Sequence, residues 1–192
     1  QFRKKGVNDR FSLSNDQFRI DGKRIKIPNL GWVKMRENLR FDGKILSAKV
    51  FTKGGKWFVS VAVELDEIQK PLPKTGKSVG LDLGITDLAT LSDGTKIQAP
   101  KPLKNKLKKL RRLNKSLSRK QKGSNNRKKA KTKLSRLHLN IRNIRADFLH
   151  KLTTDLVKQF DVICLENLNI KGMVQNRKLS RAISDLGFYE FK

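Results

Sequence analysis

The stretch Ser78-Val79-Gly80-Leu81-Asp82-Leu83-Gly84-Ile85 decides the fold class, because it is a short apolar strand that carries one acid. A carboxylate buried in such a strand is costly unless it is protonated, paired or bound to a cation, which makes Asp82 a candidate functional residue. Leu88 to Leu91 and Lys96 to Ala99 predict two further strands around the turn Asp93-Gly94. We therefore predict half of a sheet, in which three antiparallel strands follow one another.

A second apolar stretch, Val162-Ile163-Cys164-Leu165-Glu166, predicts a buried strand that ends in an acid. If the two acid-bearing strands are neighbours, their carboxylates converge on one face about 4.8 Å apart. Carboxylates that close favour cations between them, and oxygen-only ligands suit Mg²⁺ or Mn²⁺, which in pairs can promote phosphodiester hydrolysis. Asp82 and Glu166 are therefore the predicted catalytic and metal-binding residues, although a single acid on a strand is often only a turn or cap residue.

The charge of the chain indicates its partner. The 192 residues include 45 Lys and Arg against 17 Asp and Glu, which gives a formal charge of +28. This much like charge repels itself unless a polyanion neutralises it, so nucleic acid is the predicted partner and an anionic membrane the weaker alternative. The sequence has no apolar run of about eighteen residues that could span a bilayer, and no signal-peptide pattern follows its first residues.

The positive charge is concentrated between Gly94 and Ala146, where twenty Lys and Arg occur without a single Asp or Glu. Leucines from Leu103 to Leu117 recur every three or four residues and predict an amphipathic helix. After Gly123-Ser124-Asn125-Asn126 a second helix is predicted, with an apolar stripe at Leu134, Leu137, Ile141, Ile144, Phe148, Leu152 and Leu156. Together they predict an antiparallel helical hairpin whose apolar seam is core packing.

The outside of this hairpin is the predicted phosphate-binding surface. A solvated helix face usually mixes both signs of charge, whereas this one has no acid to mix in. The predicted nucleic-acid-binding residues are Lys108, Lys109, Arg111, Arg112, Arg119, Arg127, Lys128 and Lys129.

The first seventy residues predict β structure. Alternating apolar residues flank the turn pairs Asp21-Gly22, Asp42-Gly43 and Gly54-Gly55, and short strands at this spacing suggest a small antiparallel barrel. The prolines of 71–76 interrupt any strand ladder and predict a domain boundary. Near the end of the chain, Leu179, Ile183 and Leu186 predict a last short helix that Gly187 terminates.

The predicted fold class is α+β. Its four segments are a small β-barrel (1–70), three strands (77–100), the basic helical hairpin leading back to the sheet (101–160) and a second part of the sheet domain (161–192). The single cysteine, Cys164, excludes an internal disulfide and a multi-cysteine zinc site within this chain, and it fits a reducing, cytoplasmic location. Cys164, His138 and His150 are predicted to be packing and helix-surface residues, not catalytic groups.

Three segments resemble a known family. Gly80-Leu81-Asp82-Leu83-Gly84-Ile85, followed by Asp87-Leu88-Ala89-Thr90-Leu91-Ser92-Asp93-Gly94, resembles the first RuvC-type motif of the transposon-encoded TnpB proteins, the OrfB-type "transposases" related to compact type V CRISPR nucleases. Ile163-Cys164-Leu165-Glu166-Asn167-Leu168-Asn169-Ile170-Lys171-Gly172-Met173 is similar to the second motif, and Leu179 to Phe191 resembles its continuation. Ile27-Pro28-Asn29-Leu30-Gly31-Trp32-Val33-Lys34-Met35 resembles the family's wedge domain.

The resemblance implies an RNA-guided DNA endonuclease with a two-metal mechanism. A wedge-like barrel at 1–70 would hold guide RNA, and an RNase H-like (RuvC) domain would cut DNA. Asp82 and Glu166 would be two of three metal-binding acids, and the basic hairpin would line the nucleic-acid channel. The family's N-terminal recognition segment, zinc ribbon and third acidic motif are not found in the sequence. We therefore expect a piece of a longer protein that is inactive by itself, with zinc only in the missing C-terminal part.

Two other functions stay open at this point. An actin-like ATPase also begins with Gly-x-Asp-x-Gly on a strand of this kind, but it should carry a second Gly-rich phosphate loop, where this chain has a Lys/Arg-rich helix. The second alternative is a non-catalytic nucleic-acid-binding protein or a remnant of a transposable element.

Overall fold

A computed structural model describes residues 9–65 and 72–192. The chain divides into two compact units, Gln1–Lys70 and Pro71–Lys192.

In the first unit, residues 9–65 form six strands in two antiparallel sheets. The strands are β1 (Arg10–Ser14), β2 (Arg19–Asp21), β3 (Arg24–Ile27), β4 (Gly31–Lys34), β5 (Lys44–Lys53) and β6 (Lys56–Glu64). The sheet orders are β1-β5-β6 and β2-β3-β4. The predicted hairpin at Gly54-Gly55 is confirmed: both glycines have positive φ (58° and 70°), as the favoured two-residue turn between twisted strands requires.

The predicted closed barrel is wrong for residues 9–65. Inward residues of the two sheets, among them Leu13 and Val50 from one and Ile25 and Ile27 from the other, pack into one small core, but no strand of one sheet pairs with a strand of the other. Alternation and turn residues specify which face of a strand is buried and which neighbour follows it. Closing a barrel depends on pairing between distant edges, which neither signal reports.

The second unit is a four-stranded sheet with helices. Its elements are β7 (Ser78–Leu83), β8 (Ala89–Leu91), β9 (Lys96–Ile97), α1 (Pro102–Ser118), α2 (Asn125–Gln159), β10 (Val162–Leu165), α3 (Ile170–Gln175), α4 (Ser180–Leu186) and α5 (Phe188–Phe191). The order is β10-β7-β8-β9, with β7 to β9 antiparallel as predicted and β10 parallel to β7. The short helices α3 and α5 were not predicted. Gly187 ends α4 in the left-handed conformation (φ 77°), which confirms its predicted role.

One face of this sheet is buried against helices. Leu81 and its alternate neighbours on β7 lie in a core with Leu149 and Leu156 of α2, Ile183 of α4 and Phe188 of α5. Burial of this apolar surface, worth about 25 cal/mol per Å², holds the helices on the sheet. The alternate residues of β7 therefore face away from the core.

The helical hairpin is confirmed, but its predicted apolar stripe is only partly buried. Leu137, Ile141 and Leu156 are buried as predicted, whereas the other four members (Leu134, Ile144, Phe148 and Leu152) are half-buried, and Leu149 is buried without having been predicted. The helix changes neighbours along its length, from α1 to α5, so its buried direction changes and a single stripe cannot follow it. Leu149 lies against Gly187, 3.2 Å from the position that a Cβ there would occupy.

The second acid-bearing strand, β10, is not buried as predicted. Val162 is 54 % exposed and Leu165 is 38 % exposed, and Cys164 is also exposed, so its predicted packing role is wrong. β10 is an edge strand in the order found here, and an edge strand lacks a neighbour on one side. His138 and His150 are exposed on α2, as expected.

Candidate active site and nucleic-acid interface

Asp82 lies on the uncovered face of the sheet. Its neighbours Leu81 and Leu83 point into the core, so the two-residue period of the strand turns Asp82 outward, where it is exposed. The expectation of a buried carboxylate was wrong for this reason. Apolar neighbours in sequence belong to the opposite face, and they do not desolvate the acid between them.

Glu166 is brought beside Asp82 by the pairing of β10 with β7. The parallel register pairs Cys164 with Gly80 and Leu165 with Leu81. Glu166 follows Leu165 and Asp82 follows Leu81, so the two acids lie side by side. The predicted adjacency of the two acid-bearing strands is confirmed. Both acids line one open groove of about 440 Å³ on the uncovered face.

Besides the two acids, the polar side chains of the groove are the hydroxyls of Thr90 and Ser92 and the thiol of Cys164, and the remaining lining is apolar or glycine. Thr90 of β8 is paired directly with Asp82 of β7. Ser92 directly follows β8, and its Oγ accepts a hydrogen bond from the Gly80 N–H at 3.3 Å. Carboxylate and hydroxyl oxygens are the donors that hard divalent cations prefer. Within residues 9–65 and 72–192, no group of three Asp, Glu, His or Cys side chains is placed so that it could hold one metal ion. The groove therefore contributes two carboxylates, not a complete ligand set.

A third acid, Asp161, holds the two strands in this register. It directly precedes β10, and its carboxylate accepts hydrogen bonds from the backbone N–H of Thr75 (2.9 Å) and of Gly76 (2.6 Å), just before β7. These backbone hydrogen bonds lower the pKa of Asp161, and the hydrogen bond from Thr75 has the largest effect. The contact joins residues more than eighty positions apart, and no local pattern in the sequence predicts it.

Of the eight predicted phosphate-binding residues, seven are exposed and one is partly buried. Lys108, Lys109, Arg111, Arg112, Arg119, Lys128 and Lys129 are exposed. Arg127 is partly buried, and its Nη1 donates hydrogen bonds to the Leu117 and Lys120 carbonyls at 2.9 and 3.0 Å. Leu117 lies in the last turn of α1 and Lys120 just after it, so Arg127 ties the end of α1 to the start of α2. Arg127 closes the hairpin turn, whereas the other seven have their charges in solvent.

In the part of the chain that the structure describes, acidic side chains do not neutralise the basic surface of the hairpin. Of the twenty Lys and Arg between Gly94 and Ala146, only Arg145 has an ion pair there, to Glu190 at 2.9 Å. Arg127 and Lys101 donate hydrogen bonds to backbone carbonyls instead. The remaining cations of this stretch are available to an external polyanion.

A fourth acid, Asp185, anchors the hairpin and was also missed. Among the residues that the structure describes, Asp185 is the one charged residue that is buried, at 4 % exposed. Its two carboxylate oxygens accept hydrogen bonds from the backbone N–H groups of Leu103 and Lys104, each at 2.8 Å. Helix α1 begins at Pro102 after Lys101, whose side chain makes no cap. Asp185 therefore caps this helix from α4, where a carboxylate also interacts favourably with the helix dipole.

Helix α2 is also held by the segment around Asp185, through Arg145. The Arg145 Nη1 donates a hydrogen bond to the Ser184 carbonyl at 2.9 Å, and its Nε contacts Glu190. The hydrogen bond from Arg145 is the main reason that the pKa of Glu190 lies below its ordinary value. Gly187 is required here twice, by its positive φ and because a Cβ would come within 2.7 Å of Arg145 Cδ.

Comparison with known proteins assigns the chain to a family. The family model described as "Probable transposase" (OrfB_IS605) matches residues 59–177. The chain is 37 % identical over 211 residues to "Putative RNA-guided DNA endonuclease InsQ" of Escherichia coli (strain K12), covering 100 % of this chain and 52 % of the relative. It is 45 % identical over 140 residues to "Putative RNA-guided DNA endonuclease" of Streptomyces pristinaespiralis, covering 73 % of this chain and 34 % of the relative.

A viral protein extends the same group. The chain is 29 % identical over 132 residues to "TnpB-like protein L79" of Acanthamoeba polyphaga mimivirus, covering 62 % of this chain and 25 % of the relative. The chain belongs to the TnpB (OrfB) family of transposon-encoded proteins. It spans about half the length of the first of these relatives and about a third of the second. None of the described helices is both long and apolar enough to cross a membrane.

Proposed function

We propose that this chain is the part of an RNA-guided DNA endonuclease that supplies two metal-binding carboxylates, Asp82 and Glu166, and a phosphate-binding hairpin. The observation that supports it most is the parallel pairing of β10 with β7, which brings two acids from distant parts of the sequence into one groove. Two exposed like charges side by side are unfavourable unless a cation lies between them. An antiparallel trio of strands joined by a parallel fourth also supports an RNase H-like domain.

Asp82 and Glu166 would hold Mg²⁺ or Mn²⁺. When bound, such an ion stabilises the negative charge that develops on a phosphodiester as it is hydrolysed. The protein's own contribution is to bring both carboxylates to one face, with β7 and β10 fixed in register by Asp161. Because the described residues offer only two acids at the groove, we propose that residues 1–192 do not cleave by themselves.

The hairpin would hold DNA and RNA by their backbones. Its seven exposed cations recognise phosphate charge, which is the same in every sequence, so this surface contributes affinity without base preference. Sequence selection would come from base pairing with a guide RNA. This partner assignment is supported by the names of the relatives and by the formal charge of +28.

The test is cleavage by a full-length protein that includes this sequence. We expect Asp82→Ala and Glu166→Ala each to lower Mg²⁺-dependent cleavage at least about a hundredfold, since each removes several kcal/mol of transition-state stabilisation. Nucleic-acid affinity should stay within about twofold, because the phosphate contacts lie elsewhere. Asp87→Ala, a substitution of an acid outside the groove, is the matched control and should cleave normally.

Two outcomes would overturn the assignment. Full activity in Asp82→Ala would show that the carboxylates of the groove are structural. Efficient Mg²⁺-dependent cutting by residues 1–192 would show that a complete metal site had been missed. If neither the native nor the altered full-length protein cleaves but all bind equally, the alternative function holds, a non-catalytic nucleic-acid-binding protein.

A further inference from the structure

A row of side chains crosses the uncovered face of the sheet in the second unit. The pairing of β10 with β7 places Glu166 beside Asp82. Asp82 is paired in register with Thr90 of β8, and Thr90 is paired in register with Lys96 of β9. Residues that are paired in register lie on the same face of a sheet. The row therefore carries the two groove acids at one end and a lysine at the other.

The direction of Lys96 follows from its neighbour on β9. Ile97 is paired with buried Ala89 and packs against the core of the unit, so the alternation of the strand turns Lys96 to the opposite face, where it is exposed. Two strand spacings, about 9.6 Å, separate the backbones of Asp82 and Lys96. The residue between them in the row is Thr90, which has a short side chain and is half-buried.

The charge of Lys96 is not neutralised within the described ranges. None of the ion pairs there includes Lys96. The nearest acid along the chain, Asp93, is held by its own turn, where its carboxylate accepts a hydrogen bond from the Thr95 N–H at 2.8 Å. A lysine on an edge strand such as β9 protects the edge against pairing with another chain. That explanation accounts for a charge on β9, but not for its place in one row with the two acids.

We propose that Lys96 is a substrate-binding residue of the cleavage site, whose ammonium group binds a phosphate of the DNA strand being cut, close to the cleaved phosphodiester. In the proposed function, the phosphodiester to be hydrolysed lies at Asp82 and Glu166, so the next phosphates of the same strand lie a short way along the sheet. A lysine ammonium group is a compact point charge that suits a phosphate oxygen. The inference rests on the proposed function, because it takes the two acids as the place of cleavage.

This role differs from that of the hairpin surface. The exposed cations of the hairpin are many, and each adds affinity without fixing which phosphate lies where. Lys96 has a fixed register relative to Asp82, and a phosphate contact of this kind positions the strand. Lys96 would thus determine which phosphodiester reaches the acids. The DNA strand would cross the sheet along the row, from β10 toward β9.

The experiment removes the charge from each partner of the proposed contact. It uses a full-length protein that includes this sequence and measures single-turnover cleavage of DNA. In a series of substrates, one phosphate of the cut strand on either side of the cleaved phosphodiester is replaced by an uncharged methylphosphonate. Lys96→Ala and Lys96→Gln remove the ammonium group, and Lys96→Arg keeps the charge.

Removing either partner should have the same effect. With unmodified DNA, Lys96→Ala and Lys96→Gln should slow cleavage about tenfold, since a charge-assisted contact is lost. In the native protein, one particular methylphosphonate near the cleaved bond should cause a similar loss. The same linkage should slow Lys96→Ala by less than about twofold more, because the partner of that phosphate is already absent. Lys96→Arg should cleave within about threefold of the native rate and stay sensitive to the linkage.

Lys108→Ala is the matched control, since Lys108 is an exposed lysine of the hairpin. It should weaken DNA binding slightly and keep the sensitivity of the native protein to the same methylphosphonate. The Mg²⁺ concentration that gives half-maximal cleavage should agree within about twofold between Lys96→Ala and the native protein, because the proposed contact of Lys96 is with phosphate and not with the ion.

Any of three results would contradict the role of Lys96. The first is native cleavage by Lys96→Ala, and the second is a loss in Lys96→Ala that adds fully to the loss from every methylphosphonate. The third is a fall in the Mg²⁺ concentration that Lys96→Ala requires, which would show that the lysine neutralises Asp82 instead. Asp82→Ala is measured in the same assay. If Asp82→Ala is inactive and Lys96→Ala is unaffected, only this inference fails; if Asp82→Ala cleaves normally, or the native protein does not cleave, the proposed function fails and this inference with it.

Discussion

The groove and the basic hairpin belong to the same unit, yet they depend on geometry to different degrees. The groove requires two particular carboxylates in one register, and a shift of one residue would turn Glu166 to the other face of the sheet. The hairpin requires only that many cations share a surface, and any one of seven can be lost with a modest effect. The proposed metal site would therefore be lost with either acid, whereas the proposed phosphate-binding surface would depend on the sum of its cations.

The largest expected effect that distinguishes the two regions is on the salt dependence of nucleic-acid binding. Replacing Arg111, Arg112, Lys128 and Lys129 by Ala should lower the slope of log K against log salt by up to about 3.6, because each lost phosphate contact removes about 0.9 for duplex DNA. All sequences should be weakened alike. The measurement is a salt titration of duplex binding, and an unchanged slope would remove the hairpin from the interface.

Arg127→Ala is the control within the same hairpin. Its guanidinium is bound to the Leu117 and Lys120 carbonyls, so this change should lower the stability of the hairpin turn and leave the salt slope almost unaltered. A loss of slope equal to that of an exposed arginine such as Arg112 would show that Arg127 leaves the turn and contacts phosphate.

A middle-sized effect is expected where the hairpin joins the core. Asp185→Ala should lower the free energy of unfolding by about 2 kcal/mol, because it removes a charge-assisted helix cap from two backbone N–H groups. Urea unfolding followed by circular dichroism measures it. The control is Asp155→Ala, since Asp155 is exposed on α2 and its loss should cost less than about 0.5 kcal/mol. Equal costs for the two substitutions would contradict the capping role of Asp185.

The smallest effect is the pH dependence of the second anchor. Because Arg145 holds the pKa of Glu190 below its ordinary value, the carboxylate stabilises the fold above about pH 4.5, and this contribution disappears as pH falls through the folded-state pKa. Glu190→Gln should therefore be less stable than the native chain at pH 7, by under about 1 kcal/mol for a pair this accessible. The difference should vanish in acid. The control is Asp147→Asn, which breaks the exposed pair with Lys151 and should change the stability at pH 7 by less than Glu190→Gln does.

Sequence reasoning succeeded where a signal is local. The β2–β3 and β5–β6 hairpins were predicted from the turn residues Asp21-Gly22 and Gly54-Gly55, the two long helices from leucine spacing, and the end of α4 from Gly187. It failed for contacts between distant segments: the barrel did not close, β10 was at an edge and not in a core, and Arg127 turned inward. The two anchoring acids, Asp161 and Asp185, were missed because each bonds to backbone more than eighty residues away.

The sequence by itself determined the identity of the two groove acids, the concentration of cations between Gly94 and Ala146, and the order of strands and helices, because residue types and their periods express these directly. Only the tertiary structure decided that Glu166 lies beside Asp82, that both acids face outward, and that Asp185 caps α1. Those facts depend on which strands pair and in what register. Register follows from the burial of a whole face of a sheet, which the side chains of many segments decide together.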